Sequence, residues 1–240
     1  MKLLIFVTTF NRRAITELSL WQTCRFKCDA NVLAYDDHST EYDTNWISRL
    51  TDGVERAPER LGIAGLRARQ FRDFINSDYE LLYFTDNDVI HDPNYILRLQ
   101  RLYALPSELK LPVSLFNSAF HSYPENVLKE IQDVQIRKTA PGASQLYDRE
   151  MAAEILRGLE RSPELEGRYG WDYNLPALLK RPWIQSTVSY LEHFGAGGMH
   201  NTGPADGFER DRALNPTRYL VRVRDGVVRY LTLGGERPAL

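Results

Sequence analysis

The sequence predicts an α/β fold in which a mostly parallel central sheet is flanked by helices. Over roughly the first hundred residues, short apolar runs alternate with helical periodicity, the rhythm of βαβ units. The first run, Leu3 to Thr8, is continuously apolar, as in a strand covered on both faces. Three runs end on polar clusters: Thr8-Thr9, Asp36-Asp37 and Asp86-Asn87-Asp88.

The elements follow in order. After the first strand, Ile15, Leu18 and Trp21 recur at helical spacing and predict a helix over 13–21 with those three inward. Val32 to Tyr35 is the second strand. Ile63, Leu66, Phe71, Phe74 and Ile75 mark the buried side of a helix over 63–75, with Arg67, Arg69 and Arg72 on its polar side. Leu81 to Phe84 is another buried strand, and Pro93 opens a helix carrying Ile96, Leu99 and Leu102. Beyond residue 105 the rhythm loosens. Val113–Phe116, Val134–Arg137 and Ile184–Leu191 predict strands, Asp148–Leu156 and Trp171–Leu179 helices, and Pro141 to Ser144 a turn. Asp225-Gly226, between Tyr219–Val223 and Val227–Leu231, predicts a C-terminal β-hairpin. The expectation is one domain over 1–240: a ligand-facing half to about 105, a second half over about 106–203, and a tail over 204–240.

Composition narrows the function. Hydrophobic residues make up 43% and charged residues 26%, so the chain can bury a core and is not a disordered segment. A net charge of −2 gives no basic footprint for nucleic acid. Cys24 and Cys28 are too few for a disulfide framework or a structural zinc site, which fits a reducing, cytoplasmic setting. The apolar start is too short to span a bilayer and runs into Thr8-Thr9-Phe10-Asn11-Arg12 with no cleavage-site pattern.

In open α/β sheets, ligands bind beyond the carboxyl ends of the strands. A single Asp there is commonly a turn former or helix cap; acidic pairs at two strand ends point instead to a site. Asp86 and Asp88 flank one residue, and carboxylates so close repel unless a cation lies between them. Hard oxygen ligands suit Mg²⁺ or Mn²⁺, typically shared with substrate phosphates. No glycine-rich phosphate loop follows the first strand, which argues against ATPases, kinases and dinucleotide dehydrogenases.

Taken together, these segments resemble family 2 glycosyltransferases of the GT-A fold. Thr8 to Arg12 resembles the family's first-strand motif, and Asp36-Asp37-His38-Ser39 its Asp-Asp-Gly-Ser turn, with His38 in place of glycine. Gly62 to Gln70 resembles the helix that usually reads Ala-Arg-Asn, with Gln70 for asparagine. Asp86-Asn87-Asp88 resembles the Asp-x-Asp metal motif, and Gly170-Trp171-Asp172 the catalytic Glu-Asp pair, with Trp171 for glutamate. The resemblance covers about residues 2–200.

It implies a metal-dependent inverting transferase that moves a sugar from a nucleotide diphosphate, a UDP-sugar above all, to a hydroxyl on a glycan or glycoconjugate. Thr8, Asp36 and Asp37 would hold base and ribose. Arg69, with Arg67 as second choice, would approach the nucleotide. Asn87 and Trp171 would line the donor, Trp171 being equally readable as core. Asp88 would ligate Mn²⁺ or Mg²⁺, Asp86 would touch ribose or the metal shell, and Asp172 would be the general base. A histidine at a later strand end often completes the metal site in such enzymes; His193 is the first candidate and His200 the second. The glycines at 195, 197 and 198 suggest a loop that closes on phosphate. Sugar-1-phosphate nucleotidyltransferases share the fold, but carry a glycine-rich stretch that Thr9 to Arg13 lacks. A catalytically silent carbohydrate-binding domain is the other alternative, against which the retained Asp86, Asp88 and Asp172 count.

Overall fold

A computed structural model of the chain describes residues 1–105, 110–119, 121–161, 171–195 and 212–223, with the backbone alone at 171–173. The first half is a run of parallel strands and crossover helices: β1 (Leu3–Thr9), α1 (Arg13–Arg25), β2 (Asn31–Asp36), α2 (Thr44–Ser48), β3 (Gly53–Arg56), α3 (Gly62–Ile75) and β4 (Leu81–Asp86). Then come β5 (Val89–His91), α4 (Tyr95–Tyr103), β6 (Val113–Ser114), β7 (Val127–Ile131), β8 (Val134–Arg137), β9 (Ser144–Asp148), α5 (Arg149–Arg161), α6 (Trp171–Leu178), β10 (Trp183–Ser186) and β11 (Leu191–His193).

Among the described residues, nine strands form one sheet in the order β3-β2-β1-β4-β9-β6-β10-β8-β7. β9 and β8 run against their neighbours and the rest share one direction, so the sheet is mostly parallel as predicted. Alternate residues of β1 face opposite layers. Leu3, Ile5 and Val7 pack with Leu20 of α1, Ile47 of α2 and Tyr95 and Leu99 of α4. Leu4 and Phe6 pack with Phe71 and Phe74 of α3, Met151 and Ile155 of α5 and Leu175 of α6. Two covered faces explain why β1 reads as one apolar run. No helix among the described residues is long and apolar enough to cross a membrane.

Several expectations are corrected. Trp21 is 39% exposed, whereas α1 buries Thr16, Ser19, Gln22 and Thr23, because that face meets polar groups. On α3, Ile63 is exposed and Arg67 buried, the reverse of their expected sides. Pro93 lies in the turn before α4. The strand expected over 184–191 is two strands: β10 stays in the large sheet, and β11 leaves it to pair with β5. β7 and β9 were not foreseen. Residues 218–223 are helical where the first arm of the hairpin was expected; Asp225-Gly226 and the second arm lie outside the described residues.

Candidate active site

The strand order places the site. After β1 the chain lays β2 and β3 on one side, then returns to set β4 against the other. The loops leaving β1 and β4 therefore diverge and open a crevice at their carboxyl ends. Register puts Thr8 beside Asp86 and Thr9 beside Asp36, so the polar clusters share one edge.

The turn after β1 is built on two non-glycine residues with positive φ, Asn11 at 49° and Arg12 at 55°. Each costs about 1–2 kcal/mol unless its surroundings hold it. Asn11 is held from both ends: its N–H donates to Ser39 Oγ at 2.8 Å, and its Oδ1 accepts from the Thr40 and Glu41 amides at 2.7 and 3.3 Å. The Arg12 guanidinium then reaches the end of β4, where Nη1 donates to Asp88 Oδ2 at 3.0 Å and Nη2 to Asn87 Oδ1 at 2.8 Å. Asn87 in turn donates to Thr16 Oγ1 at 2.6 Å, which accounts for the first residue on the polar buried face of α1.

The carboxylate of Asp88 has a second basic neighbour. β5 pairs with β11 so that Val89 lies opposite His193, and the Phe194 amide donates to Asp88 O at 2.9 Å. His193 Nε2 is thereby set 3.2 Å from Asp88 Oδ1. Burial pushes the Asp88 carboxyl up, but His193 and Arg12 outweigh it and hold the group well below the usual carboxylate range.

Asp86 is treated differently. Burial, with Asp88 adding repulsion, raises its carboxyl above the ordinary value, although Arg67 opposes the shift. Arg67 is 1% exposed and lies over the Phe84 ring at 4.4 Å. Its Nη2 donates to Asp86 Oδ1 at 2.7 Å and its Nη1 to Gln70 Oε1 at 3.1 Å, while Gln70 Nε2 donates to Thr8 Oγ1 at 3.3 Å. A chain of contacts thus runs Thr8–Gln70–Arg67–Asp86.

The expected residues separate on this geometry. Thr8, Asp86, Asn87, Asp88 and His193 come together. Arg69 does not: it faces outward to Glu55 at 3.5 Å and Asp73 at 3.8 Å, and Arg67 takes the inward place. Asp36 is fully buried, with its oxygens on Thr9 Oγ1, Ser39 and Arg56. Asp37 caps α3 from a distance, accepting from the Leu61 amide at 2.7 Å and the Gly62 amide at 3.0 Å. His38, at the position where the resembling turn has glycine, has φ 62°, the conformation glycine favours. Trp171 and Asp172 open α6, and their side chains, like His200 and the glycines at 197 and 198, lie outside the described residues.

Sequence reasoning missed Arg12 and ranked Arg67 second. For Arg67 the signal was available, since positions 67, 70, 71 and 74 follow i, i+3, i+4, i+7 and place it on the face of Phe71 and Phe74.

Among the described residues no three His, Cys, Asp or Glu side chains form a ready metal-binding group. Asp88 and His193 are the pair that fits a cation. Two ligands about 2.1 Å from one octahedral ion, at right angles, stand about 3 Å apart, close to their 3.2 Å separation. Asp86, expected to touch ribose or the metal shell, has Oδ1 on Arg67.

No protein family and no curated protein matches the chain by sequence. Solved structures do match by fold. GalNAc-T7 with UDP, GalNAc and Mn²⁺ superposes with a TM-score of 0.60 at 12% identity, over 80% of this chain and 44% of that one. S. aureus TarS 1–349 in complex with UDP-GlcNAc gives 0.52 at 16% identity, over 80% of this chain and 58% of that one. Mannosyltransferase PcManGT from Pyrobaculum calidifontis, with GDP-Man and Mn²⁺, gives 0.49 at 18% identity, over 71% and 48%. The chain therefore spans about half the length of these structures. The architecture shared with the first two is the GT-A fold.

Proposed function

We propose that this chain is a GT2-like glycosyltransferase that moves a sugar, with inversion, from a nucleotide-diphosphate donor to an acceptor hydroxyl. The observation that carries the reading is the meeting of Asp86, Asp88, Arg12, Arg67 and His193 at the β1/β4 switch point of a GT-A fold. Acidic and basic groups there can receive both a cation and a diphosphate.

Asp88 and His193 hold Mn²⁺ or Mg²⁺ in this reading. Such an ion supplies Lewis-acid stabilisation to the charge that gathers on a leaving diphosphate. Arg67, fixed through Gln70, holds Asp86 oriented so that its free oxygen accepts from a ribose hydroxyl. Thr8 lines the same wall, and Asn87, locked by Arg12 and Thr16, keeps the turn between the two aspartates rigid. Arg12, the most exposed of the cations around Asp88, turns to the donor phosphates. Asp36 and Asp37 contribute by holding the turns that border the base, and Arg69 has no direct part.

At the start of α6, Asp172 takes the proton of the attacking hydroxyl, with Trp171 against a sugar face. One displacement needs one such base and no covalent intermediate, and so inverts the anomeric carbon. Uridine is the proposed base of the donor, and the acceptor a glycan or glycoconjugate.

Calorimetry with UDP and GDP, with and without Mn²⁺, tests the donor side. Metal-dependent UDP binding that Asp88→Ala removes from a folded protein is the expected result. Binding that ignores both metal and Asp88 overturns the reading, and pyrophosphate release from a nucleoside triphosphate and a sugar phosphate would replace it with nucleotidyl transfer. Proton NMR of the product then reads the stereochemistry.

A further inference from the structure

The other half of the sheet buries a cation that forms no ion pair among the described residues. Arg137, the last residue of β8, is 2% exposed. Its side chain doubles back along its own strand, so that Nε and Nη2 donate to Gln135 Oε1 at 2.9 and 2.5 Å. Nη2 also donates to Asn117 Oδ1 at 2.9 Å and to Ser122 Oγ at 3.3 Å. Nη1 is buried and meets no acceptor among the described residues. A guanidinium has five N–H donors and a full charge. Here neutral oxygens hold one side, and the two N–H groups of Nη1 are left over.

Burial pushes the guanidinium down to about 10, and the charge on Glu130 offsets this only in part. Glu130 is exposed, and its carboxylate accepts from Gln135 Nε2. A buried charge without a counter-charge is among the least favourable things a protein interior can hold. The cradle is nevertheless fixed. Asn117 Nδ2 donates to Thr187 O at 2.7 Å, the Asn117 amide to Ser189 Oγ at 3.3 Å, and Ser122 Oγ to Ser118 O at 2.7 Å.

The Arg137 backbone lies opposite Trp183, the first residue of β10, and its side chain runs from there toward the reacting edge. β6 and β10 run with β1, so Asn117 and Thr187 lie just past their carboxyl ends. Arg137 pairs with Trp183, and paired residues share a face of the sheet. That face is covered by α6, since Trp183 packs in one cluster with Leu175, Leu178 and Leu179. α6 leads back to the amino end of β10, so its own start, where Asp172 sits, lies toward the carboxyl edge.

Resting on the glycosyl-transfer reading, we propose that Arg137, cradled by Asn117, Ser122 and Gln135, receives an oxyanion, phosphate or carboxylate, carried by the acceptor. The planar fork matches two oxygens of such a group. Ser122 and Gln135, which hold the other side of the fork, are half-buried, so the cradle borders solvent.

The test uses the full chain with UDP and Mn²⁺ at saturation, so that the donor's phosphate place is filled. Melting temperature is followed against glucose 6-phosphate, glucuronate, glucose and inorganic phosphate at constant ionic strength. The anionic sugars raise it saturably, glucose leaves it unchanged, and inorganic phosphate binds at least tenfold more weakly than glucose 6-phosphate. Arg137→Met abolishes the shift without changing UDP affinity. Should Arg137→Met not fold, Ser122→Ala at the half-buried rim serves instead, and weakens glucose 6-phosphate at least threefold. No shift with either anionic sugar, an equal shift with glucose, or a shift unaltered in these variants overturns the proposal. Inorganic phosphate binding as tightly as glucose 6-phosphate overturns it too, by making the site one for a free anion. If UDP fails to bind the wild type, the glycosyl-transfer reading has failed; if UDP binds and the Arg137-dependent shift is missing, this inference alone has.

Discussion

His193 Nε2 lies 3.2 Å from Asp88 Oδ1, and backbone pairing rather than sequence proximity makes that contact. The two-stranded β5–β11 sheet sets Val89 opposite His193, and the Phe194 amide fastens the end of the pair to Asp88 O. The imidazole and the Arg12 guanidinium both favour the ionised Asp88. To ligate a divalent ion the imidazole would have to be neutral.

Mn²⁺ affinity of the UDP complex is therefore expected to fall as pH drops and the imidazole takes a proton. His193→Ala weakens Mn²⁺ binding and flattens this pH dependence, which calorimetry at several pH values measures. A pH dependence unchanged in His193→Ala would remove the histidine from the site.

Asp88 also ties the site to acid stability. Its carboxyl is held below the unfolded value, so its contribution is full above about pH 4, the ordinary Asp value, and is lost as pH falls toward the lower folded value. Asp88→Asn should shrink the acid limb of a urea-midpoint profile below that pH. An acid limb identical to the wild type's would show that Asp88 draws no net benefit from Arg12 and His193.

The sequence carried the parallel half of the fold well, because β1, β2 and β4 are buried on both faces and announce themselves as apolar runs. It failed where burial is polar. α1 buries Thr16, Ser19, Gln22 and Thr23 against Asn87 and His91, so apolar periodicity pointed to Trp21 instead. The second half failed for another reason: β7 is exposed along most of its length, and the chain between β10 and β11 changes sheets, which no periodicity records. In the site, Asp86, Asn87 and Asp88 were legible as a motif. Their partners Arg12 and Arg67 were not, since a backbone bend with positive φ and a buried arginine both run against ordinary expectation.

Asp172 offers a direct test of the catalytic reading. Asp172→Asn should lower kcat by roughly a hundredfold or more, the scale of a general base, with little change in UDP affinity. Steady-state turnover alongside calorimetry separates the two quantities. Near-normal turnover would place the base elsewhere.

Asp37 distinguishes a structural role from a ligand-binding one. Both its oxygens cap the start of α3, so Asp37→Ala should cost about 1–2 kcal/mol of stability, the scale of a lost cap at a helix's positive end. Asp37→Ser, which retains one acceptor, should recover part of it. Urea unfolding without nucleotide reads this directly, and a fully stable Asp37→Ala protein with lost UDP binding would return Asp37 to the nucleotide.

The pairing of Arg67 with Asp86 makes the last prediction. Arg67 is almost wholly buried, and Asp86 already sits above its ordinary range with the arginine present. Removing the cation in Arg67→Met should raise the carboxyl further and leave a partly buried Asp86 without its counter-charge, a loss of up to about 3 kcal/mol. A carboxyl raised in the folded state contributes stability that is complete below its unfolded value and fades as pH rises through the folded one. The gap in urea midpoint between wild type and Arg67→Met is therefore expected to be wider at alkaline pH and to narrow as pH falls and Asp86 protonates. Adding Asp86→Asn to Arg67→Met should restore much of the loss, because no unpaired charge then remains. A gap that stays constant across this range, or a double variant no more stable than the single, would mean that Arg67 acts through its packing on Phe84 and not through Asp86.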